Sequence, residues 1–198
     1  MGNYSYLILT KNPVLSIDDP DSNTSIILRT CKNMIPALWP GFFHKEDIKI
    51  FKYDNGNIFH TFIVDTSTAI KNFKQFTKQL YSNPLIKESI EKLAENFIID
   101  IKAIKDFKTL NLQLFFEEIE GMLPESESKE WLDDIMNFID NVRARRSRDT
   151  QDILTLPGAD DLFDQAQIDI PEWRSRLDDL EISLLGFNEN ESIDIFPK

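Results

Sequence analysis

Ile48-Lys49-Ile50-Phe51-Lys52-Tyr53-Asp54-Asn55-Gly56-Asn57-Ile58-Phe59-His60-Thr61-Phe62-Ile63-Val64-Asp65 is the stretch on which the fold turns. Ile48 to Tyr53 and Ile58 to Asp65 are rich in β-branched and aromatic residues, which suit a pleated surface. Between them stands Asp54-Asn55-Gly56-Asn57. Asn and Gly tolerate the positive φ that tight turns between antiparallel strands demand. The stretch therefore predicts a β-hairpin.

Towards the N-terminus, Tyr4 to Leu9 is aromatic and aliphatic, which predicts a strand covered on both faces. Asp18-Asp19-Pro20-Asp21-Ser22-Asn23 carries turn chemistry, and Ser25 to Arg29 predicts a short second strand. Met34 to Phe43 is densely apolar, but Pro36, Pro40 and Gly41 forbid a long helix. A short helical turn begun by Pro36 is expected instead.

Towards the C-terminus, a helix is expected after Asp65, with Asp65, Thr66 or Ser67 as cap and Ala69, Phe73, Phe76 and Leu80 at helical spacing. Asn83-Pro84 restarts the chain, and Ile86, Ile90, Leu93, Phe97, Ile101 and Ile104 mark the clearest amphipathic helix. Leu110, Leu112, Leu114 and Phe116 recur with period two, which predicts a strand with a helix as the alternative. Gly121 and Pro124 end that region. Trp131, Ile135, Phe138, Ile139 and Val142 predict a further helix, acidic at its positive end and arginine-rich at its negative end. A last strand at Asp152 to Leu156 is expected, then helices at Asp160 to Gln167 and from Pro171 to Gly186. The expected fold is α+β: an antiparallel sheet containing the 48–65 hairpin, covered by four to five helices. It is one domain over residues 1–198, with a seam between two lobes near 106–125.

Charge is unevenly divided. The chain carries −12 overall. Residues 1–110 hold 14 Lys or Arg against 12 Asp or Glu, whereas residues 111–198 hold 8 against 22. The acid of the second part is clustered at Glu117, Glu118 and Glu120, at Glu125, Glu127 and Glu130, at Asp133 and Asp134, at Asp160, Asp161 and Asp164, and at Asp178, Asp179 and Glu181. Solvated helix faces are the bland explanation, but solubility alone does not require the acid in one half. Such a chain repels nucleic acid and anionic membranes and attracts basic partners. The basic run Arg143-Ala144-Arg145-Arg146-Ser147-Arg148 is flanked by Asp140, Asp149 and Asp152 and reads as helix capping with internal pairing.

Catalytic and metal motifs are not in view. Cys31 is the single thiol, and His44 and His60 are the only imidazoles. No zinc-ligand spacing, nucleophile elbow or phosphate loop is present. Asp18, Asp19 and Asp21 lack EF-hand spacing. Cys31 reads as a small hydrophobe and His60, mid-strand, as a satisfied structural histidine. No enzyme activity, cofactor or metal is expected. Met1 to Thr10 has no basic segment ahead of its short apolar run, so no signal peptide is predicted and a cytoplasmic location is expected.

Gly2-Asn3-Tyr4-Ser5-Tyr6-Leu7 and Ile35-Pro36-Ala37-Leu38-Trp39 give the N-terminal third a resemblance to immunity proteins of bacterial polymorphic and secretion-delivered toxins. The resemblance implies a cytosolic antitoxin that occludes a toxin domain, and it carries over no binding residues. Acidity and resemblance together predict an inhibitor of a basic toxin domain. Glu117, Glu118, Glu120, Asp133, Asp134, Asp160, Asp161 and Asp164 are its expected contacts, with Trp131 or Trp173 as aromatic anchors if exposed. A regulatory or scaffold module with another basic protein partner is the alternative.

Overall fold

The computed structural model describes residues 4–14, 25–32, 35–36, 38–52, 58–79, 84–120, 130–134, 136–137, 140 and 185. Five strands form one sheet: β1 (Tyr4–Thr10), β2 (Ile26–Lys32), β3 (Ile48–Lys52), β4 (Ile58–Asp65) and β5 (Asn111–Phe115). Their order is β2-β1-β5-β4-β3, and every neighbouring pair is antiparallel. The hairpin predicted from residues 48–65 is present as β3 and β4, in a register that sets Ile48 opposite Phe62, Ile50 opposite His60 and Phe51 opposite Phe59. Its turn, residues 53–57, lies outside the described residues.

The last of the described strands in sequence, β5, occupies the middle of the sheet. β5 suits that place because its period-two pattern is apolar on both faces. Leu112, Leu114 and Phe116 enter the main core, while Phe115 enters a smaller cluster on the opposite face with Ile8, Val14 and Phe59. The one polar side chain fully buried in β5 is Gln113. Its amide accepts from the Val14 backbone N–H at 2.8 Å and donates to the Val14 carbonyl at 2.8 Å. The side chain thus replaces a missing strand neighbour, and burial costs little because its donor and acceptor are both satisfied.

Helices α1 (Thr66–Gln79) and α2 (Pro84–Ala103) cover one face of the sheet. Asp65 caps α1: its Oδ1 accepts the Thr68 backbone N–H at 2.9 Å. Hydrogen bonding from the Thr68 side chain, and then from its backbone N–H, holds the Asp65 carboxyl below its ordinary value. The turn predicted at Pro36 begins with Trp39 N–H donating to the Pro36 carbonyl at 3.0 Å and continues as a 3-10 helix over Trp39–Phe42. It lies flush on α1, since a Cβ added to Gly41 would stand 2.3 Å from the Phe76 ring. Phe42 stacks on Phe73 with centroids 3.9 Å apart and meets Phe97 edge-on at 6.0 Å. Arg29 of β2 is buried, places its guanidinium 4.9 Å from the Phe97 ring centre and reaches Asp100 at 3.7 Å, so β2 is tied to α2.

The four to five helices expected over the sheet are not confirmed. Three α-helices are present among the described residues, the third being α3 (Glu117–Glu120). The residues described between Glu130 and Asp140 are also helical. The strand expected at 152–156 and the helices expected at 160–167 and 171–186 lie outside the described residues, apart from helical Leu185. Among the described residues, no helix is long and apolar enough to cross a membrane.

Candidate functional site

The acidic half begins with β5, and the described residues show how it joins the rest. Phe116 is buried in the main core, and α3 follows it directly. Glu120, on α3, is 9% exposed and turned inward onto β4. One carboxylate oxygen accepts the His60 backbone N–H at 2.9 Å, and the other meets His60 Nδ1 at 2.5 Å. A carboxylate accepts only, so Nδ1 carries the proton. The pair fixes both the imidazole and α3, and His60 is satisfied as its mid-strand position predicts.

Further along, Leu132 and Met136 stand one helical turn apart and are both buried in the main core. Trp131 is partly buried and meets Phe116 edge-on, with centroids 5.8 Å apart. It is therefore packed against the core rather than extended from it. Asp133 accepts from Lys45 Nζ at 2.7 Å. This hydrogen bond and the Asp133 charge, helped by Asp140, hold the Lys45 ammonium above its ordinary value. Near the far end, Leu185 is buried and its carbonyl accepts the Trp39 Nε1–H at 2.8 Å. Residues from three places in the acidic half thus touch the N-terminal part: Glu120, the segment with Leu132, Asp133 and Met136, and Leu185.

The residues expected to form a contact surface fall into distinct positions. Asp134 is exposed, as are Glu130 and Asp140, which were not among the expected contacts. Glu117 and Asp133 are partly buried, the latter bound to Lys45. Glu120 is buried against His60. The Glu118 side chain, Asp160, Asp161, Asp164 and Trp173 lie outside the described residues.

A feature not singled out from the sequence lies on α1. Lys71, Lys74 and Lys78 are all exposed and fall on one helical stripe. The helix contains no Asp or Glu, and none of the three lysines is ion-paired with a described residue. The signal was present as a lysine repeat in an acid-free helix, hidden by the near-neutral total of residues 1–110.

Other chemistry is not brought together. Cys31, on β2, is buried in the core. Three strand spacings separate β2 from β4, so Cys31 and His60 stand roughly 14 Å apart across the sheet. Among the described residues no group of three or more His, Cys, Asp or Glu side chains is placed to hold a metal ion. The Asp18, Asp19 and Asp21 triplet lies outside the described residues. No model of a known protein family matches the chain. Comparison with curated proteins and with solved structures likewise finds no match.

Proposed function

We propose that this chain is a cytoplasmic immunity-type inhibitor, which binds a basic toxin domain through its acidic C-terminal half and occludes it. The observation that carries the reading is the segregation of charge. Residues 111–198 hold 22 acidic against 8 basic residues, while residues 1–110 are close to balance. A polyanionic surface accelerates encounter with a cationic partner and selects against anionic ones. A domain that must hold phosphate presents such a cationic surface, and an acidic face covers it.

In this reading Glu117, Glu118, Asp133, Asp134, Asp160, Asp161 and Asp164 contribute charge to the interface. Glu120 acts at one remove, because its carboxylate is spent on His60 and sets the position of α3. Burial of Leu132 and Met136 supports the reading, since an acidic segment held on a core loses less freedom on binding than a loose one. Co-expression with the product of the adjacent gene tests the proposal. Relief of that product's toxicity, with a purified complex that weakens as salt rises, is the expected result. Undiminished toxicity with no complex at low salt would sink it.

A further inference from the structure

Among the described residues β3 ends the sheet on its side, and its outer edge is open. His60 fixes which groups lie on that edge. Its backbone N–H points away from β3, to the Glu120 carboxylate. Directly opposed residues of an antiparallel pair either exchange both backbone bonds or both turn away from each other. Ile50 stands opposite His60, so its N–H and C=O point outward, as do those of Ile48 and Lys52. The Ile48 N–H is taken by the Lys45 carbonyl. The Ile48 carbonyl and both groups of Ile50 and Lys52 form the open edge. Ile48, Ile50 and Lys52 share the sheet face of Phe62, where Ile50 is 65% exposed and Ile58 58%. Lys49, on the other face, is also exposed.

The sequence holds a match for this edge. Ile193-Asp194-Ile195-Phe196 repeats Ile48-Lys49-Ile50-Phe51 with the charge reversed, and it lies outside the described residues. Leu185, shortly before it, is anchored to Trp39. The fold places that anchor towards the Lys52 end of β3. α1 leaves β4 at Asp65 and returns along it, since Asn72 donates to the Phe42 carbonyl and the adjacent Phe43 ring lies 5.4 Å from Phe62. Gly41 meets Phe76, one turn further along α1, and Trp39 lies two residues before Gly41. Further along α1 is closer to Ile58, and Ile58 stands opposite Lys52. The chain from Leu185 to Glu191 spans up to about 20 Å.

We propose that residues 191–195 add to the open edge of β3 as a further antiparallel strand, with Ile193 opposite Ile50. This register sets Ile195 opposite Ile48, Asp194 opposite Lys49 and Glu191 opposite Lys52. A slip of one residue moves both isoleucines to the other face. A slip of two sets either Glu191 against Ile50, or Pro197, which has no N–H, against Ile48. Charge complementarity selects this segment over a second copy of β3, because β3 carries two lysines and no acid, and like charges across a strand pair repel. The added strand covers Ile50 and closes an edge that otherwise invites foreign strands. The inference is independent of the toxin reading.

Amide hydrogen exchange of the full chain, followed by NMR at Ile50 and Lys52, tests the pairing. Both amides should exchange slowly, at a rate independent of protein concentration. I193P removes the N–H that the Ile50 carbonyl accepts and should speed exchange at Ile50 by about tenfold or more. K49E and D194K should each speed it by about two- to fivefold, and K49E/D194K should return it to the wild-type rate. The amides of β5, in the middle of the sheet, should keep their rates in every variant, which separates loss of the added strand from unfolding. An unprotected Ile50 amide in the wild type would overturn the proposal, as would protection that survives I193P. Protection that rises with protein concentration would assign the strand to a second copy and overturn it too.

Discussion

Residues 1–110 and residues 111–198 differ less in how they pack than in what they turn outward. Both send apolar side chains into one core, Phe42, Phe73 and Phe97 from the first, and Leu112, Leu114, Leu132 and Met136 from the second. The first part contributes four of the five strands and the two long helices, and its charges nearly cancel. The second contributes the central strand and the whole of the net negative charge. Folding needs the two together, because β5 fills the gap between β1 and β4. The described residues of the acidic half are therefore part of the body of the protein.

The bond between Trp39 and Leu185 is the sharpest place to break that union. Trp39→Ala removes a fully buried ring and leaves the Leu185 carbonyl without its donor. Denaturant unfolding should show a loss of about 3–5 kcal/mol. Trp39→Phe keeps most of the ring and loses only the hydrogen bond, so its cost should be smaller, about 1–3 kcal/mol. Equal effects would mean that the bond to Leu185, and not burial of the ring, carries the loss.

Next in size is the contact of α3 with β4. Glu120→Ala leaves the His60 backbone N–H and ring N–H without their acceptor, which should cost about 1–3 kcal/mol. Glu120→Gln retains an acceptor oxygen and should recover part of the loss in the same unfolding experiment. No recovery would argue that the charge, rather than the hydrogen bonds, holds α3 in place.

The cap of α1 should matter less. Asp65→Ala should cost about 1 kcal/mol at neutral pH. The folded state holds Asp65 below the ordinary carboxyl value. Its stabilisation is therefore complete above the unfolded value, near 3.8, and is lost as pH falls through the lower folded value. The gap between wild type and Asp65→Ala should narrow in acid, whereas Asp65→Asn, which caps without titrating, should show no such pH dependence.

The smallest effect is expected at Lys45. Its pair with Asp133 is 54% and 43% exposed at the two side chains. Exposed pairs are screened and contribute little. Lys45→Gln should leave the denaturation midpoint unchanged within scatter, and a clear loss would mark that contact as a stronger tie between the halves than its exposure implies.

Much of this fold is legible in the sequence. Asn55-Gly56 between β-prone runs locates β3 and β4, the capped Asp65 locates α1, and Pro84 starts α2 where it is expected. Period-two spacing from Leu110 identifies β5. Its central place in the sheet is not legible, because strand order depends on which edges meet after the helices pack, and local periodicity is silent on that. The inward turn of Glu120 was hidden for a related reason. A carboxylate in an acidic cluster looks solvent-facing until a donor 60 residues away is known to lie beside it. The lysine stripe was locally legible, but averaging charge over 110 residues erased it.

The most direct test of the account is whether the product of the adjacent gene, the proposed partner, binds this chain and how that binding depends on salt. The affinity should fall steeply as salt rises. It should fall again when Asp133, Asp134, Asp160, Asp161 and Asp164 are replaced by Asn, with folding unchanged. No complex at low salt, or a complex indifferent both to salt and to the loss of those carboxylates, would contradict the claim that the acidic half is the binding face.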